Sequence, residues 1–426
     1  MDLFELLHAF WEFIVHVHGE YEPFIKFVSY IVNPILALLA FRANRKDKTE
    51  IIEQSSELGK LSNEVENAHR SVRDKQHELE LAAAEIGHRG AEIQKLEDDL
   101  RQITEGSQAL WKLRDVRAFP QYLNWLRDPS GAKIVTIGNL KGGVGKTTIA
   151  ANFAAYISET RNAPVLLVDL DYQGSLSNMM MLAIEREEVE SKVDRLFAAD
   201  ANLVTLEGAK EHLTPKLNRG WLVPANYGFS QLENQLLLKW LLKADGDVDV
   251  RFRLAHALLR PEVRNSYAAI ILDMPPRMTL GAINALVASH KFFVPTVLDK
   301  ISAEAVAQFI VNMRAIKKDL KLDINLAGII GCMTRNAEPS SREQQALQLA
   351  REGGYLWKEG RDYVLKATLP RRVGIGGAAG EDVAYCVKEG TRYVNREVFD
   401  PLFEEMCGEL FTDDQQPTHK LATNRA

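Results

Sequence analysis

Cysteine is scarce in this 426-residue chain: Cys332, Cys386 and Cys407 stand alone, with no CxxC pair among them. That spacing excludes a disulfide framework and a zinc site, and it suits a reducing compartment. A surplus of basic charge is also missing. Lysine and arginine number 52 against 58 acidic residues, a net charge of −6, so no global cationic footprint marks the chain for nucleic acid. Lysine and arginine are absent from residues 1–22, which hold five acids. Without a basic n-region or a small-residue cleavage site, that start does not read as a removed signal peptide. Proline is absent between Asp47 and Phe119, and no tyrosine follows Tyr393.

What is present divides the chain into unlike parts. At 46% hydrophobic and 26% charged, it has enough apolar material for two or three domains. Phe24 to Phe41, "FIKFVSYIVNPILALLAF", carries one charge, Lys26, in 18 residues. A bilayer-spanning helix needs about 20 apolar residues, with a terminal lysine snorkelling and a proline tolerated. The flanks differ in charge: acids precede the span, and Arg42, Arg45, Lys46 and Lys48 follow it. The positive-inside rule then places everything after Arg42 in the cytoplasm. Leu3 to Val17 is apolar apart from a stripe of Glu5, His8, Glu12 and His16, as in a helix lying on the membrane or lining a neighbour. Residues 1–46 are therefore expected to be a single-pass membrane anchor; the alternative is a buried helical hairpin.

Residues 47–109 read as a coiled-coil stalk. Positions 51, 58, 65, 72, 79, 86, 93 and 100 are Ile, Leu, Val, Val, Leu, Ile, Ile and Leu, an apolar seam repeating every seven residues. Its companion seam is weaker, interrupted by Lys75 and Arg89. Residues 110–132 form an amphipathic stretch, expected as a connector helix that docks on the next domain. From Lys133 the pattern becomes apolar runs alternating with helical periods: "KIVTIGN", "VLLVDLD", "GWLVPA", "AAIILDMPP", "KFFVPTV", "LAGIIGCMT". Such runs indicate a buried, mostly parallel, doubly wound sheet, hence an α/β domain over 133–410. Residues 411–426 are polar and read as a disordered tail.

The chemistry concentrates after the first run, in "KGGVGKTT". Gly142, Gly143, Val144 and Gly145 form a loop whose N–H groups can turn inward on phosphate, ahead of a helix N-terminus. Lys146 can reach the β- and γ-phosphates, the Thr147 hydroxyl can ligate Mg²⁺, and Thr148 completes the motif. Lys141 is one lysine more than a phosphate loop requires.

That extra lysine makes the motif resemble the deviant Walker A loop of the ParA/MinD family of P-loop ATPases. In that family two subunits sandwich two ATP molecules, and the lysine crosses to the partner's phosphates. The resemblance implies a homodimer or higher homo-oligomer, Mg²⁺ and ATP as cofactors, and Lys141, Lys146 and Asp171 as catalytic residues. "VLLVDLDYQGSLSN" is similar to the family's second motif. It implies that Asp169 holds Mg²⁺ through water and that Asp171 positions the attacking water. Tyr172 stands where the family has proline. "AAIILDMPP" is similar to the Walker B region and implies Asp273 at the metal, with Pro275 and Pro276 in the loop behind it. "TLPRRVGIGG" is similar to the base-binding segment and implies Pro370 and Arg371 at the adenine, with the pocket extending to Val373. The similarity covers about residues 133 to 405.

Family members position cargo, and some bind DNA through arginines near the end of the domain. Arg371 and Arg372 are read as a nucleotide-pocket or dimer-interface pair in preference to a DNA contact. A permanent N-terminal anchor fits a membrane-tethered switch that recruits or gates a partner protein better than one cycling through the cytosol. Two further classes are a nucleotide-gated structural oligomer in a surface, secretion or phage-defence system, and a bacterial tyrosine kinase. The kinase type typically carries "DxDxR" as its second motif and a terminal tyrosine cluster; this chain has "DLDYQG" at that motif and no tyrosine after Tyr393.

Overall fold

A computed structural model describes residues 48–105, 109–186, 189–336, 338–378 and 380–412. The anchor expected over 1–46, with its candidate span Phe24 to Phe41, and the tail beyond Thr412 lie outside the described residues. Among the described residues no helix is long and apolar enough to cross a membrane. The chain divides into two compact units, Met1–Leu100 and Arg101–Ala426.

The first unit's described part is one helix, α1 (Lys48–Glu105), of 58 residues. Proline is missing and straight-chain residues abound, so nothing interrupts it; at 1.5 Å per residue it reaches about 87 Å. The heptad seam is bare from Val72 to Ile93: Val72 is 52%, Leu79 44%, Ile86 48% and Ile93 55% exposed, while Leu58 and Val65 are half-buried.

The second unit is an α/β fold. Besides a small antiparallel pair, Lys388–Glu389 with Arg392–Tyr393, its strands are β1 (Lys133–Ile137), β2 (Val165–Asp169), β3 (Glu211–His212), β4 (Gly220–Val223), β5 (Ala269–Asp273), β6 (Lys291–Val297), β7 (Asn325–Thr334) and β8 (Leu369–Pro370). Strands β1 to β8 form one sheet in the order β3-β4-β2-β5-β1-β6-β7-β8. Every pair in that sheet is parallel except the edge pair β3–β4. The runs are apolar throughout because both faces are covered. Ile134, Leu166, Ile270 and Phe292 point into one core and Val135, Leu167, Ile271 and Phe293 into the other.

Helix α2 (Tyr122–Arg127) precedes the sheet, and α3 (Lys146–Thr160), α4 (Ser175–Leu182), α5 (Leu203–Ala209) and α6 (Gly228–Leu241) follow its first strands. Then come α7 (Arg253–Leu258), α8 (Pro261–Arg264), α9 (Leu280–Ala288), α10 (Lys300–Asp319), α11 (Ser341–Tyr355), α12 (Val373–Ala378) and α13 (Arg396–Phe411). α3 and α13 pack Phe153, Phe399 and Phe403 beneath one face, whereas α9 and α10 bring Ile283, Val306 and Phe309 to the other.

The connector corrects an expectation. Residues 110–132 do not form one helix: a 3₁₀ turn (Ala109–Lys112) is followed by extended chain and then by the six-residue α2. Pro120 interrupts the run, and two buried arginines claim the backbone carbonyls. Arg251, paired with Asp249 at 2.6 Å, donates to the carbonyls of Trp111 (2.7 Å), Arg114 (3.1 Å) and Asp115 (2.8 Å). Arg264 donates to those of Trp125 (2.5 Å), Asp128 (2.9 Å) and Ala132 (3.0 Å). Trp111 meets Trp240 in a tilted contact with ring centroids 5.8 Å apart, and the Tyr122 hydroxyl donates to the Val287 carbonyl at 2.9 Å. A buried guanidinium is tolerated only when its donors are matched, and here carbonyls match them.

Candidate functional site

The phosphate loop leaves the C-terminal end of β1, between β5 and β6. Gly138 N–H bonds the Phe293 carbonyl at 3.0 Å, and a Cβ on Gly138 would stand 2.8 Å from Met274 Sδ. Asn139 staples the turn: its Nδ2 donates to the Pro295 carbonyl (2.8 Å), and its Oδ1 accepts Lys141 N–H (3.0 Å). Pro295 is tolerated in an interior strand because β1 pairs only as far as Phe293. Gly143 and Gly145 have φ of 70° and 93°, and nothing lies within 4 Å of a Cβ on Gly142 or Gly143. The loop's inner surface is thus open, and no side chain caps the helix N-terminus at Lys146. Bare N–H groups at a helix start suit an anion.

Lys146 is buried, and its Nζ donates to the Lys141 carbonyl at 2.9 Å. Burial draws its pKa down, against the charges of Asp273 and Asp171. Thr147 Oγ1 donates to Asp273 Oδ2 at 2.7 Å, while Asp273 Oδ1 is buried without a partner. Burial, then the charge on Asp169 in the neighbouring strand, pushes the Asp273 carboxyl up. Asp169 stands opposite Asp273 in register, but its oxygens are engaged. Its Oδ1 accepts Asp171 N–H (3.0 Å); its Oδ2 accepts Ser177 N–H (2.9 Å) and the Ser177 hydroxyl (2.7 Å). Asp171 turns its Oδ1 to Gln173 N–H at 3.0 Å, in a turn where Gly174 has φ 63°. Tyr172, in the place of the family's proline, meets the Tyr227 ring edge-on at 6.2 Å.

Lys141 does not point where Lys146 does. Its Nζ donates to Ser302 Oγ, 161 residues on in α10, and Ser302 in turn donates to Asp299 through its hydroxyl and, at 2.9 Å, its N–H. Burial works against the Asp299 charge, but the Ser302 bonds and Lys141 hold its carboxyl below the usual range.

The expected adenine residues lie at the same end of the sheet. Pro370 pairs with Thr334 of β7, and Arg371 N–H bonds the Thr334 carbonyl at 2.8 Å. Thr334 Oγ1 is buried with no partner, and Cys332 of the same strand faces Gly145, 3.7 Å from where its Cβ would be. Arg372 pairs with Glu397 at 2.6 Å, and Val373 is 94% exposed. Asn139, Ser302, Asp299, Ser177 and Thr334 were not singled out from sequence. Asn139, beside the phosphate loop, and Ser177, inside the second motif and eight residues from Asp169, carried a local signal; the others meet the site through long-range packing.

The residues present fit a magnesium nucleotide. Thr147 and the bare Asp273 oxygen are hard oxygen donors beside the loop. Among the described residues no group of three or more His, Cys, Asp or Glu could hold a metal. Mg²⁺ suits such a site, since it keeps water and phosphate oxygens in its shell and needs few protein ligands.

Residues 132–326 match the AAA domain family. The chain is 30% identical over 246 residues to the sporulation initiation inhibitor protein Soj of Bacillus subtilis, covering 58% of this chain and 87% of Soj. It is likewise 30% identical over 243 residues to the chromosome partitioning protein ParA of Myxococcus xanthus, covering 57% and 76%. Among solved structures, the ATP complex of a substituted form of McdA from Cyanothece aligns with a TM-score of 0.52 at 18% identity, over 68% of this chain and 100% of that one. Such identity speaks for the fold alone. The match to Soj is a match of sequence across most of that protein, and with it the chain belongs to the ParA/MinD family of P-loop ATPases.

Proposed function

We propose that this protein is a membrane-anchored, Mg-dependent ATPase that works as a nucleotide-dependent dimerisation switch. One observation carries the reading. The cradle's own lysine is Lys146, while Lys141 leaves that cradle and is held 161 residues away at Ser302. A loop already served by one lysine has no use for a second on the same phosphates; a partner subunit's phosphates give it one.

In this reading ATP lies on the N–H groups of Gly142 to Gly145, with Lys146 on its β- and γ-phosphates and Thr148 at the helix start. Pro370 and Arg371 border the base. Thr147 and Asp273 would hold Mg²⁺, with Asp169 behind them. When bound, the ion neutralises charge on the β- and γ-phosphate oxygens. Asp171 orients a water in line with the γ-phosphorus and takes its proton. The water oxygen bonds to phosphorus, the bond to the β–γ bridging oxygen breaks, and ADP and phosphate leave. Lys141 of the partner steadies the charge on the transferring group, so turnover and association are one event.

The anchor proposal rests on the apolar run Phe24 to Phe41 and on the charges flanking it. It places the ATPase domain on the cytoplasmic side. The bare seam of α1 supports a coiled-coil stalk, since each Leu or Ile buried there would gain about 1.5–3 kcal/mol. Subunits joined in this way close on ATP at high effective concentration. The switch then positions, recruits or gates a partner protein, as a family with chromosome partitioning members does with its cargo. The test is Asp171→Ala, which should trap an ATP-bound dimer. If light scattering of this variant begun at residue 109, without the stalk, finds its mass unchanged by Mg·ATP, the sandwich reading fails.

A further inference from the structure

Glu233 stands outside the phosphate loop, the acidic strand ends and the base-binding segment, yet its carboxylate is buried. It lies on α6, and its Oε1 accepts the N–H of Gly281, in the first turn of α9, at 2.6 Å. The Thr279 hydroxyl also bonds this carboxylate. Helix α9 begins where the loop that follows Asp273 ends. Residues 274–279 therefore run from the expected metal residue to the end that Glu233 holds.

The same turn touches the other side of the site. A Cβ on Gly281 would stand 3.0 Å from the Leu170 carbonyl oxygen, 3.1 Å from Glu233 Oε1 and 3.3 Å from the Phe229 ring. Leu170 is the residue between Asp169 and Asp171, and its N–H bonds the Asp273 carbonyl at 3.2 Å. The Asp171 loop is thus seated on the first turn of α9, at a distance that a larger residue at 281 would crowd, and Glu233 fixes that turn. Burial pushes the Glu233 carboxyl up, the bonds from Gly281 and Thr279 pull it down, and the negative charge of Asp171 is close enough to push it up again.

Resting on the ATPase reading above, we infer that Glu233 is a positioning residue for hydrolysis. By bonding Gly281 N–H it holds the first turn of α9 under Leu170 and so sets Asp171 against the attacking water. It touches neither nucleotide nor water. Its removal therefore costs orientation rather than binding. Misplacing a reacting group by about 1 Å can cost on the order of a hundredfold in rate.

The experiment is steady-state turnover of Mg·ATP by the full chain, with ATP binding measured separately by a fluorescent analogue. Glu233→Ala should lower kcat by roughly ten- to a hundredfold while leaving KM and analogue affinity within about twofold. Glu233→Gln keeps an oxygen that can accept the Gly281 N–H, and it should restore kcat to within about threefold. Gly281→Ala, which crowds Leu170 from the other side, should reproduce the loss in kcat if the chain folds. A Glu233→Ala chain that turns over like the unmodified one overturns the proposal and leaves the ATPase reading standing. So does a loss confined to KM, or one that Glu233→Gln does not repair. An unmodified chain that binds the analogue but hydrolyses no ATP overturns both.

Discussion

The Lys141 ammonium sits on the Ser302 hydroxyl, and that hydroxyl sits on the Asp299 carboxylate. The lysine that marks the family is thus held on its own subunit. In the proposed sandwich it would leave this pair to reach a partner's phosphate, so the pair would oppose closure.

Asp299→Ala or Ser302→Ala should therefore ease association. A released charge-assisted hydrogen bond is worth about 1.5–3 kcal/mol, partly regained in water. In a chain begun at residue 109, without the stalk, we expect the ATP concentration for half-maximal dimerisation to fall severalfold, measured by analytical ultracentrifugation. Lys141→Ala should instead abolish ATP-dependent dimerisation while leaving ATP binding intact. A Lys141→Ala chain that still dimerises with ATP would remove the lysine's assigned task.

Asp273 offers its unpartnered Oδ1 beside Thr147. We expect Asp273→Asn to lose the part of the ATP-induced rise in Tm that depends on Mg²⁺, and to keep the part that EDTA leaves in the unmodified chain. Ligand-linked stabilisation grows with affinity, so scanning calorimetry at fixed ATP reads the difference.

The connector belongs to the ATPase fold. Beginning the chain at 109 should preserve its Tm. Beginning it at 129 strips the carbonyls from Arg251 and leaves a buried guanidinium short of acceptors. A loss of more than about 3 kcal/mol is expected, read by urea unfolding. Arg251→Ala in the full chain should approach the same loss, because the buried Asp249 carboxylate then loses its counter-charge and keeps only the backbone N–H groups of Arg117 and residue 251.

His290 supplies a pH dependence. Its Nδ1 accepts the Ile134 N–H at 3.0 Å, which requires a neutral ring. Burial, then the charges of Arg264 and Lys133, depress its pKa to about 3. The unfolded imidazole titrates near 6.5. Below that pH the unfolded chain takes up a proton the folded chain refuses. Its contribution is therefore complete above about pH 6.5 and is lost as pH falls toward 3. Near pH 5 the loss is on the order of 2 kcal/mol. Tm between about pH 6.5 and 4.5 should fall less steeply in His290→Gln; equal slopes would contradict the assignment.

The parts of the fold visible in the sequence were those with a local cause. The strands showed because both faces of the sheet are covered, leaving unbroken runs such as Val165 to Asp169. The phosphate loop showed because its glycines and lysines are contiguous. The parts that did not show join residues far apart in the chain. Nothing near Lys141 predicts Ser302, and nothing near Trp111 predicts Arg251. The connector misled because Trp111, Phe119, Tyr122 and Leu126 are all buried, as in an amphipathic helix. An irregular segment pinned by carbonyl bonds buries the same residues without the helical period.

That pinning has an evolutionary side. Arg251 and Arg264 grip the connector by carbonyl oxygens, which every amino acid carries. Arg114, Asp115 and Asp128 are thus free to mutate without loosening the grip on their own backbone. The family match opens at residue 132, although the packed segment begins at 109. Descent can rewrite the spelling of this joint without unfastening it.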